Sequence, residues 1–333
     1  MVSGLAMVMG YLAPAIVAAG LASRPLALRQ ADDHASIGGV GNSVLMASDE
    51  LSAFGSNYSE NKPVLAVSLG FQKCGTTMMH NVLKGHPSVL RVGPKELHYL
   101  AGEAWTNCAK MGPAQTWDDV WNDCFKGERP QNGQVAIDFT PSYGGMFSIL
   151  RFLRSLRRLS TDDSVDFRFV AAIREPADRA ISSISMQRKN MVAGYENATD
   201  ADLDGVMTSK LLARQTGKLD RAICDGEYVD SIETFLAEIP KEALLVVNQA
   251  KLNEITLWKR IYQHLGLSVP EDEEITKTLD KVNEDYQLIQ ALKYNESDSV
   301  PYVAATDVAE KLSQHYQPFN KDLWKILGSP NWW

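Results

Sequence analysis

A glycine-rich segment, GFQKCGTT at residues 70–77, has the residue types that bind phosphate groups. It follows an apolar run that begins at Val64 and precedes a stretch of helical composition. Gly70 and Gly75 have the spacing of a P-loop, but the lysine expected after the second glycine stands earlier, as Lys73. Glycine lets the backbone approach an anion, and N–H groups at a helix start can donate to it. The segment therefore predicts an anion-binding loop unlike that of an NTPase. The alternative is an ordinary strand–turn–helix connection.

A second cationic position follows another apolar run. Arg174 comes at the end of the predicted strand 167–173, and Pro176 suits the first turn of a following helix. Ser182, on that helix, can reach back toward Arg174, whose guanidinium offers bidentate contacts to a phosphate. The pair predicts a phosphate clamp. The alternative is a surface ion-pair cluster made of Arg174, Glu175, Asp178 and Arg179.

Glu96 and His98 lie close together in the segment GPKELHYL, residues 93–100. A carboxylate or an imidazole can take the proton of an attacking hydroxyl or amine, which is worth about 10²–10⁴-fold in rate. Both side chains are therefore candidate general bases. The alternative is that Lys95 and Glu96 are solvated loop charges and that His98 packs inward.

These segments together resemble a known family of enzymes. GFQKCGTT is similar to the 5′-phosphosulfate-binding loop of sulfotransferases that use 3′-phosphoadenosine 5′-phosphosulfate (PAPS), and REPADRAIS resembles their 3′-phosphate segment. MMHNVLKGHPSV resembles the helix and His-Pro that follow in the heparan-sulfate-type, Golgi branch. The C-terminal LSQHYQPFNKDLWKILG is also close to the family's ending. The resemblance covers roughly residues 62–333 and is weak between 100 and 130.

The resemblance implies a role for each site residue. Lys73 would contact the 5′-phosphate and the bridging oxygen to sulfate, and Arg174 and Ser182 would hold the 3′-phosphate. Glu96 matches the glutamate base of the heparan-type enzymes, whereas His98 competes because small-molecule sulfotransferases use a histidine. The implied PAPS-binding set is Lys73, Cys74, Gly75, Thr76, Thr77, Arg174 and Ser182. The implied catalytic set is Glu96, Lys73 and His98.

The implied reaction is in-line transfer of a sulfuryl group from PAPS, the co-substrate, to a hydroxyl or amine. The acceptor would be a carbohydrate or a small hydroxylated molecule, and no metal is required. Two functions of other classes stay open. One is a P-loop nucleotide kinase, in which Asp138 would bind magnesium, and the other is a non-catalytic nucleotide- or glycan-binding relative.

The segment AIDFTPSY, residues 136–143, departs from the family's Glu-Lys-Ser-Pro-x-Tyr. Asp138 replaces the glutamate, and Phe139 stands where the heparan enzymes have an active-site lysine. The missing lysine puts a heparan-like acceptor in doubt. The alternative to a site role is that Asp138 ends a strand and Tyr143 is a core aromatic residue. We interpret Tyr228, farther along the chain, as structural.

These site segments need strands that end at one edge of a sheet. The apolar runs predict strands at 64–69, 135–139, 167–173 and 243–247. The intervening patterns predict helices at 76–84, 146–159, 177–188, 203–224, 229–238, 257–265 and 312–327, the last with an interruption near Pro318. This order predicts an α/β fold, a P-loop-like central parallel sheet flanked by helices, with ligands at the carboxyl ends of the strands.

The composition is that of a globular protein: 333 residues, 45% hydrophobic and 22% charged. The net charge of −8 speaks against nucleic-acid binding. The four cysteines and six histidines lack zinc-site spacing, so we expect no structural metal. Two alternatives stay open for Cys108 and Cys124: a disulfide between them, or two free thiols. The sequence does not indicate the oligomeric state.

Residues 1–23 contain no charged side chain and predict a signal peptide or signal-anchor, followed by a flexible linker at 24–61 and the catalytic domain at 62–333. An organellar transit segment and an apolar helix are the alternatives. The first interpretation predicts the Golgi lumen, with membrane contact only through an anchor. In that compartment the sequons at Asn57, Asn197 and Asn295 would be glycosylated.

Overall fold

A four-stranded parallel sheet carries the loops predicted to bind phosphate. The computed structural model describes residues 62–90, 95–101, 116–131, 133–159, 165–190, 195, 197–296, 301–328 and 332–333. The strands are β1 (Val64–Gly70), β2 (Val135–Asp138), β3 (Asp166–Ile173) and β4 (Leu244–Asn248). They lie in the order β2-β1-β3-β4, and every neighbouring pair is parallel. The predicted α/β fold is confirmed, and the predicted strand bounds differ by at most one residue.

Helices cover the sheet and close the chain. They are α1 (Thr76–Lys84), α2 (Trp117–Cys124), α3 (Ile149–Leu159), α4 (Pro176–Lys189), α5 (Asp200–Gln215), α6 (Arg221–Cys224), α7 (Tyr228–Leu236), α8 (Ile255–His264), α9 (Asp272–Glu296) and α10 (Thr306–Leu327). Helix α10 continues through Pro318, so the predicted interruption is absent. Helices α2 and α9 were not predicted from the sequence pattern.

The single helix predicted at 203–224 is wrong. The segment forms α5 and α6, separated by a turn in which Gly217 has a φ of 85°. A left-handed residue of this kind ends a helix because the chain leaves the helical path there. Asp220 then caps α6 by accepting a hydrogen bond from the backbone N–H of Ala222 at 2.9 Å.

The order of the strands creates a crevice at the carboxyl edge of the sheet. The chain leaves β1 toward β2 on one side, and β3 and β4 lie on the other side of β1. Ligands of open α/β sheets bind where the strand order reverses in this way. The carboxyl ends of β1 and β3 are therefore the expected site, and these strands lead into the loops that contain Lys73 and Arg174.

Aromatic packing fixes the helices against β3. Phe169 of β3 contacts Phe235 of α7 with ring centroids 4.9 Å apart, and Phe152 of α3 lies 6.2 Å from Phe169. All three rings are fully buried. Because large buried aromatic residues dominate core energetics, this cluster anchors α3 and α7 against β3.

Cysteine pairing differs along the chain. Cys124 is disulfide-bonded, whereas Cys74 and Cys224 are free and buried. Cys108 lies outside the described residues, as do residues 1–61, with Asn57, and the side chain of Asn295. Asn197 is exposed.

Among the described residues, no helix combines the length and apolarity that spanning a bilayer requires.

A buried charge cluster ties three helices together. Glu227, at the start of α7, accepts hydrogen bonds from Arg214 of α5 at 2.8 and 2.7 Å, and His315 of α10 lies 2.9 Å from its Oε1. The Glu227 side chain is fully buried. Burial opposes its charge, but the hydrogen bonds from His315 and Arg214 outweigh that effect, so the pKa of Glu227 is lowered.

We expect Glu227→Gln to lower the free energy of unfolding by about 3 kcal/mol at neutral pH, because it leaves the Arg214 guanidinium without its counter-charge. A lowered native pKa stabilises the fold above the unfolded-state pKa, about 4.3, and this stabilisation is lost as the pH falls through the native value. The difference from wild type should therefore shrink below about pH 4. Urea unfolding at several pH values measures it, with the exposed Glu242→Gln as control. A difference that does not change with pH would contradict this account.

Candidate active site

A cavity of about 540 Å³ opens at the carboxyl edge of the sheet. The loop after β1, the end of β3 with helix α4, and the segment containing Glu96 all contribute to its wall. The predicted site residues that line it are Lys73, Gly75, Thr76, Thr77, Glu96, Arg174 and Ser182. Two segments more than ninety residues apart, around Lys73 and Arg174, thus face one space.

The loop after β1 has the backbone of an anion site. Gly75, the N-cap of α1, has a φ of 88°, and a Cβ built there would lie 2.5 Å from Cδ1 of Leu252. Glycine is therefore favoured by the left-handed backbone conformation, and a larger residue would also displace the Leu252 side chain. Since Gly75 has no side chain to cap α1, the first N–H groups of the helix can donate to a ligand. The N–H of Phe71 donates to the carbonyl of Ala172 at 2.9 Å, which fastens the loop to β3.

Positive charge is concentrated in the cavity. The pKa of Lys73 is lowered, first by burial and then by the charges of Arg174, Lys189 and Lys95. Cations that destabilise one another in an empty site are stabilised when an anion enters. The cavity is thus electrostatically suited to a phosphate or sulfate, although the whole chain carries a net charge of −8.

Tyr228 holds the two cationic segments together. Its hydroxyl donates to the carbonyl oxygen of Arg174 at 3.0 Å and lies 3.4 Å from the Sγ of Cys74. Its ring packs edge-on against Phe71, with centroids 4.6 Å apart. Tyr228 is almost fully buried, which agrees with the structural role expected from the sequence.

Cys74 takes part in this contact and not in the cavity wall. Its side chain is fully buried beneath the loop, and its backbone N–H donates to the carbonyl of Phe71 at 3.1 Å. The thiol faces Tyr228, so the predicted contact of Cys74 with a ligand stays a prediction that concerns its backbone. The sequence could not reveal this orientation, because the loop pattern does not say which side chains point inward.

Arg174 and Ser182 face the cavity from β3 and α4. The Nη2 of Arg174 lies 3.6 Å from Oδ2 of Asp178, so part of the alternative ion-pair cluster exists as well. The Asp178 side chain is 60% exposed, and an exposed pair of this kind contributes little stability. The guanidinium is therefore held loosely and can turn toward an anion. Arg179 is fully buried and donates to the carbonyl of Ala222, a structural contact.

Glu96 and His98 have different positions relative to the cavity. Glu96 lines it, and its Oε1 accepts a hydrogen bond from Lys95 Nζ at 2.6 Å. His98 is absent from the wall, and its Nε2 lies 3.4 Å from Oε2 of Glu96. The hydrogen bond from His98 lowers the pKa of Glu96 to about 2, against the opposing effect of burial and with further help from Lys95. Glu96 is thus the carboxylate that faces a ligand, and His98 positions it.

Asp138 is enclosed by protein. Its Oδ2 accepts from the Tyr143 hydroxyl at 2.6 Å, and its Oδ1 accepts from the Thr140 hydroxyl at 2.7 Å. Burial raises the pKa of Asp138 despite these hydrogen bonds, and the side chain is fully buried. Asp138 also accepts from the backbone N–H of Leu97 at 3.4 Å. It therefore fixes the segment after Glu96 to the end of β2 and does not face the cavity.

Several lining residues were not anticipated from the sequence. Gln249 and Asn253 come from the turn after β4, and Asn283 and Tyr286 come from α9. The first two follow a predicted strand, so their place at the carboxyl edge was a usable signal. Helix α9 carries no motif, and its contribution depends entirely on tertiary packing.

Comparison with known proteins relates the chain to one family. Mouse heparan sulfate glucosamine 3-O-sulfotransferase 3B1 is 24% identical over 306 residues, which is 85% of this chain and 68% of that protein. The mouse 3A1 enzyme is 24% identical over 291 residues, covering 80% of this chain and 64% of that protein. The chain thus spans about two thirds of these relatives. No family model matches.

A solved structure agrees in fold. The sulfotransferase from Alicyclobacillus acidocaldarius superposes with a TM-score of 0.53 at 16% identity, over 81% of this chain and 97% of that one. The chain is thus similar to sulfotransferases in sequence and shares their fold. The resemblance inferred from the loop segments is confirmed, and with it the expected sulfotransferase fold.

We expect the thiol of Cys74 to resist alkylation in the native state, because it is fully buried and burial raises its pKa. Iodoacetamide labelling followed by peptide mass spectrometry measures this, with urea-unfolded protein as the labelled reference. A Thr77→Cys variant serves as positive control, since Thr77 is exposed on the cavity wall. Rapid labelling of native Cys74 would contradict the buried orientation.

Proposed function

We propose that this protein is a sulfotransferase that transfers a sulfuryl group from PAPS to a hydroxyl or amine of a carbohydrate or small-molecule acceptor, with Glu96 as general base. The observation that carries the proposal is that Lys73, Arg174 and Glu96 line one cavity. A donor with phosphates at both ends of an adenosine needs two separated cationic anchors, and its reacting group needs a nearby base.

The loop of Lys73 suits the 5′ end of the donor. The N–H groups at the start of α1 and the hydroxyls of Thr76 and Thr77 can donate to phosphate oxygens. Lys73 can stabilise the negative charge that grows on the departing phosphate oxygen. Arg174 and Ser182 would then take the 3′-phosphate, since an arginine binds a phosphate in a bidentate manner.

Glu96 suits the role of base because it is ionised and faces the cavity. In the transfer, the acceptor oxygen or nitrogen attacks sulfur while the bond from sulfur to the phosphate oxygen breaks. The electron pair leaves with the phosphate, and Glu96 takes the acceptor's proton. His98, in contact with the other carboxylate oxygen, orients Glu96 for this step.

A nucleotide kinase is disfavoured by two features of the site. Lys73 precedes the second glycine of the loop, whereas the kinase pattern needs a lysine after it. Asp138, the residue in the position for a magnesium-binding aspartate, is buried and accepts hydrogen bonds from Tyr143, Thr140 and Leu97. Its carboxylate therefore does not reach the cavity.

The acceptor class follows from the site and the relatives together. The curated relatives are named as acting on heparan sulfate, a glycan, which favours a carbohydrate acceptor. Phe139 is fully buried where the heparan enzymes have a lysine, which favours an acceptor less anionic than heparan sulfate. The disulfide of Cys124 and the apolar residues 1–23 favour the secretory pathway, an oxidising compartment.

We expect Lys73→Ala to lower kcat by about 10²–10³-fold, because it removes the charge that stabilises the leaving phosphate. Transfer from radiolabelled PAPS to a panel of carbohydrate and small hydroxylated acceptors measures the effect. Lys84→Ala is the matched control, since Lys84 is an exposed lysine of the same loop–helix unit that does not line the cavity. Turnover by Lys73→Ala equal to that of wild type would contradict the assigned role.

We expect Arg174→Ala to weaken binding of 3′-phosphoadenosine 5′-phosphate (PAP) by about 10–100-fold, the loss of a hydrogen-bonded charge, while AMP binding changes by less than about twofold. Isothermal titration calorimetry gives both dissociation constants. Arg129→Ala is the control, because Arg129 is exposed and pairs with Asp118 on α2. Equal losses for PAP and AMP would remove Arg174 from the 3′-phosphate.

A further inference from the structure

Lys95 is a further cation on the cavity wall, and the reaction described above gives it no role. Its carbonyl oxygen accepts a hydrogen bond from the N–H of Phe139 at 3.1 Å, which fastens the residue to the end of β2. The Phe139 side chain is buried in the core. Lys95, whose backbone is hydrogen-bonded to Phe139, therefore places a positive charge at the cavity. The buried Phe139 side chain provides none.

In this structure Lys95 is engaged with the base. Its Nζ donates to Oε1 of Glu96 at 2.6 Å, while His98 contacts Oε2 at 3.4 Å. Both carboxylate oxygens thus have a cationic or polar partner. A general base works best with an accessible oxygen and a pKa near the working pH. The hydrogen bonds from His98 and Lys95 hold the pKa of Glu96 at about 2, and Lys95 occupies its Oε1. Glu96 therefore becomes a stronger base when Lys95 moves away.

Lys95 also lies close enough to Lys73 to affect its charge. The pKa of Lys73 is lowered most by burial, then by Arg174 and Lys189, and to a smaller extent by Lys95. An anion placed among these cations would attract Lys95, which has a flexible four-carbon stem and rotatable donors. The Lys95 side chain is 22% exposed and lines the cavity, so a ligand there can contact it.

We propose, on the basis of the proposed function, that Lys95 is a second cation for the transferred sulfuryl group. It pairs with Glu96 in the ligand-free enzyme and moves to the donor's sulfate oxygens when PAPS binds. This movement frees one oxygen of Glu96 for the acceptor's proton. Lys95 keeps its own proton throughout, and the bonds made and broken at sulfur are those of the transfer described above.

The test compares PAPS with PAP, which lacks the sulfuryl group. Calorimetric dissociation constants are measured without acceptor for wild type, Lys95→Met, Lys95→Arg and the exposed control Lys84→Met. We expect Lys95→Met to bind PAPS about tenfold more weakly, the loss of a charge-assisted hydrogen bond, with PAP affinity changed by less than about twofold. Lys95→Arg, which keeps the charge, should retain most of the preference for PAPS.

A pH profile provides a second measurement. The acid limb of kcat/KM reports the free enzyme, in which Lys95 and His98 face Glu96 while His80 of α1 and Asp138 of β2 lie nearby. Lys95→Met removes a partner that lowers the pKa of Glu96, so the acid limb should move to higher pH. A residue that merely supports the fold would not shift it.

The outcomes separate this inference from the proposed function. If wild type binds both ligands and Lys95→Met weakens them equally or not at all, the role of Lys95 is overturned and the donor assignment stands. If wild type binds neither PAPS nor PAP, both proposals fail. A selective loss for PAPS together with a raised acid limb supports the inference.

Discussion

The hydroxyl of Tyr228 is the contact on which the geometry of the cavity depends. It joins the loop after β1, through Cys74, to the end of β3, through the backbone of Arg174. These loops follow adjacent parallel strands that are paired from Val64 to Gly70. The strands bring the loops to one edge, and the buried hydroxyl sets their separation. Without this link, each loop could still bind an anion alone. A single ligand with two charged ends, however, needs the two loops at a fixed distance from each other.

The same region concentrates positive charge in an acidic protein. Lys73, Lys95 and Arg174 face one cavity, and after burial the charges of Arg174 and Lys95 help to lower the pKa of Lys73. The fold offsets this cost in two ways: Glu96 pairs with Lys95, and Asp178 lies near Arg174. Both acidic partners are held by contacts weak enough to be exchanged for a ligand, because each is partly exposed. Phosphate and sulfate oxygens can therefore replace these acidic partners at Lys95 and Arg174.

Short sequence patterns predicted those features of the structure that depend on neighbouring residues in the chain. The strand ends, the glycine loop, and the placement of Arg174 and Ser182 follow from short apolar runs and turn residues. Contacts between distant segments were not predictable. Cys74 and Tyr228 are 154 residues apart, so nothing in the loop pattern shows that the thiol faces away from the ligand. Lys95 reaches the cavity through a backbone contact with Phe139, and α9 supplies lining residues without any motif. The break between α5 and α6 depends on one left-handed glycine, Gly217, which a helical pattern tolerates.

The most direct test of the two-anchor arrangement is a crystal structure of this protein with PAP bound. The account predicts one nucleotide in the cavity, with its 5′-phosphate in hydrogen-bond contact with Lys73 and the N–H groups at the start of α1. Its 3′-phosphate should contact Arg174 and Ser182, with the Tyr228 contacts unchanged. A nucleotide bound elsewhere, or bound here with its 3′-phosphate pointing away from Arg174 into solvent, would contradict the account.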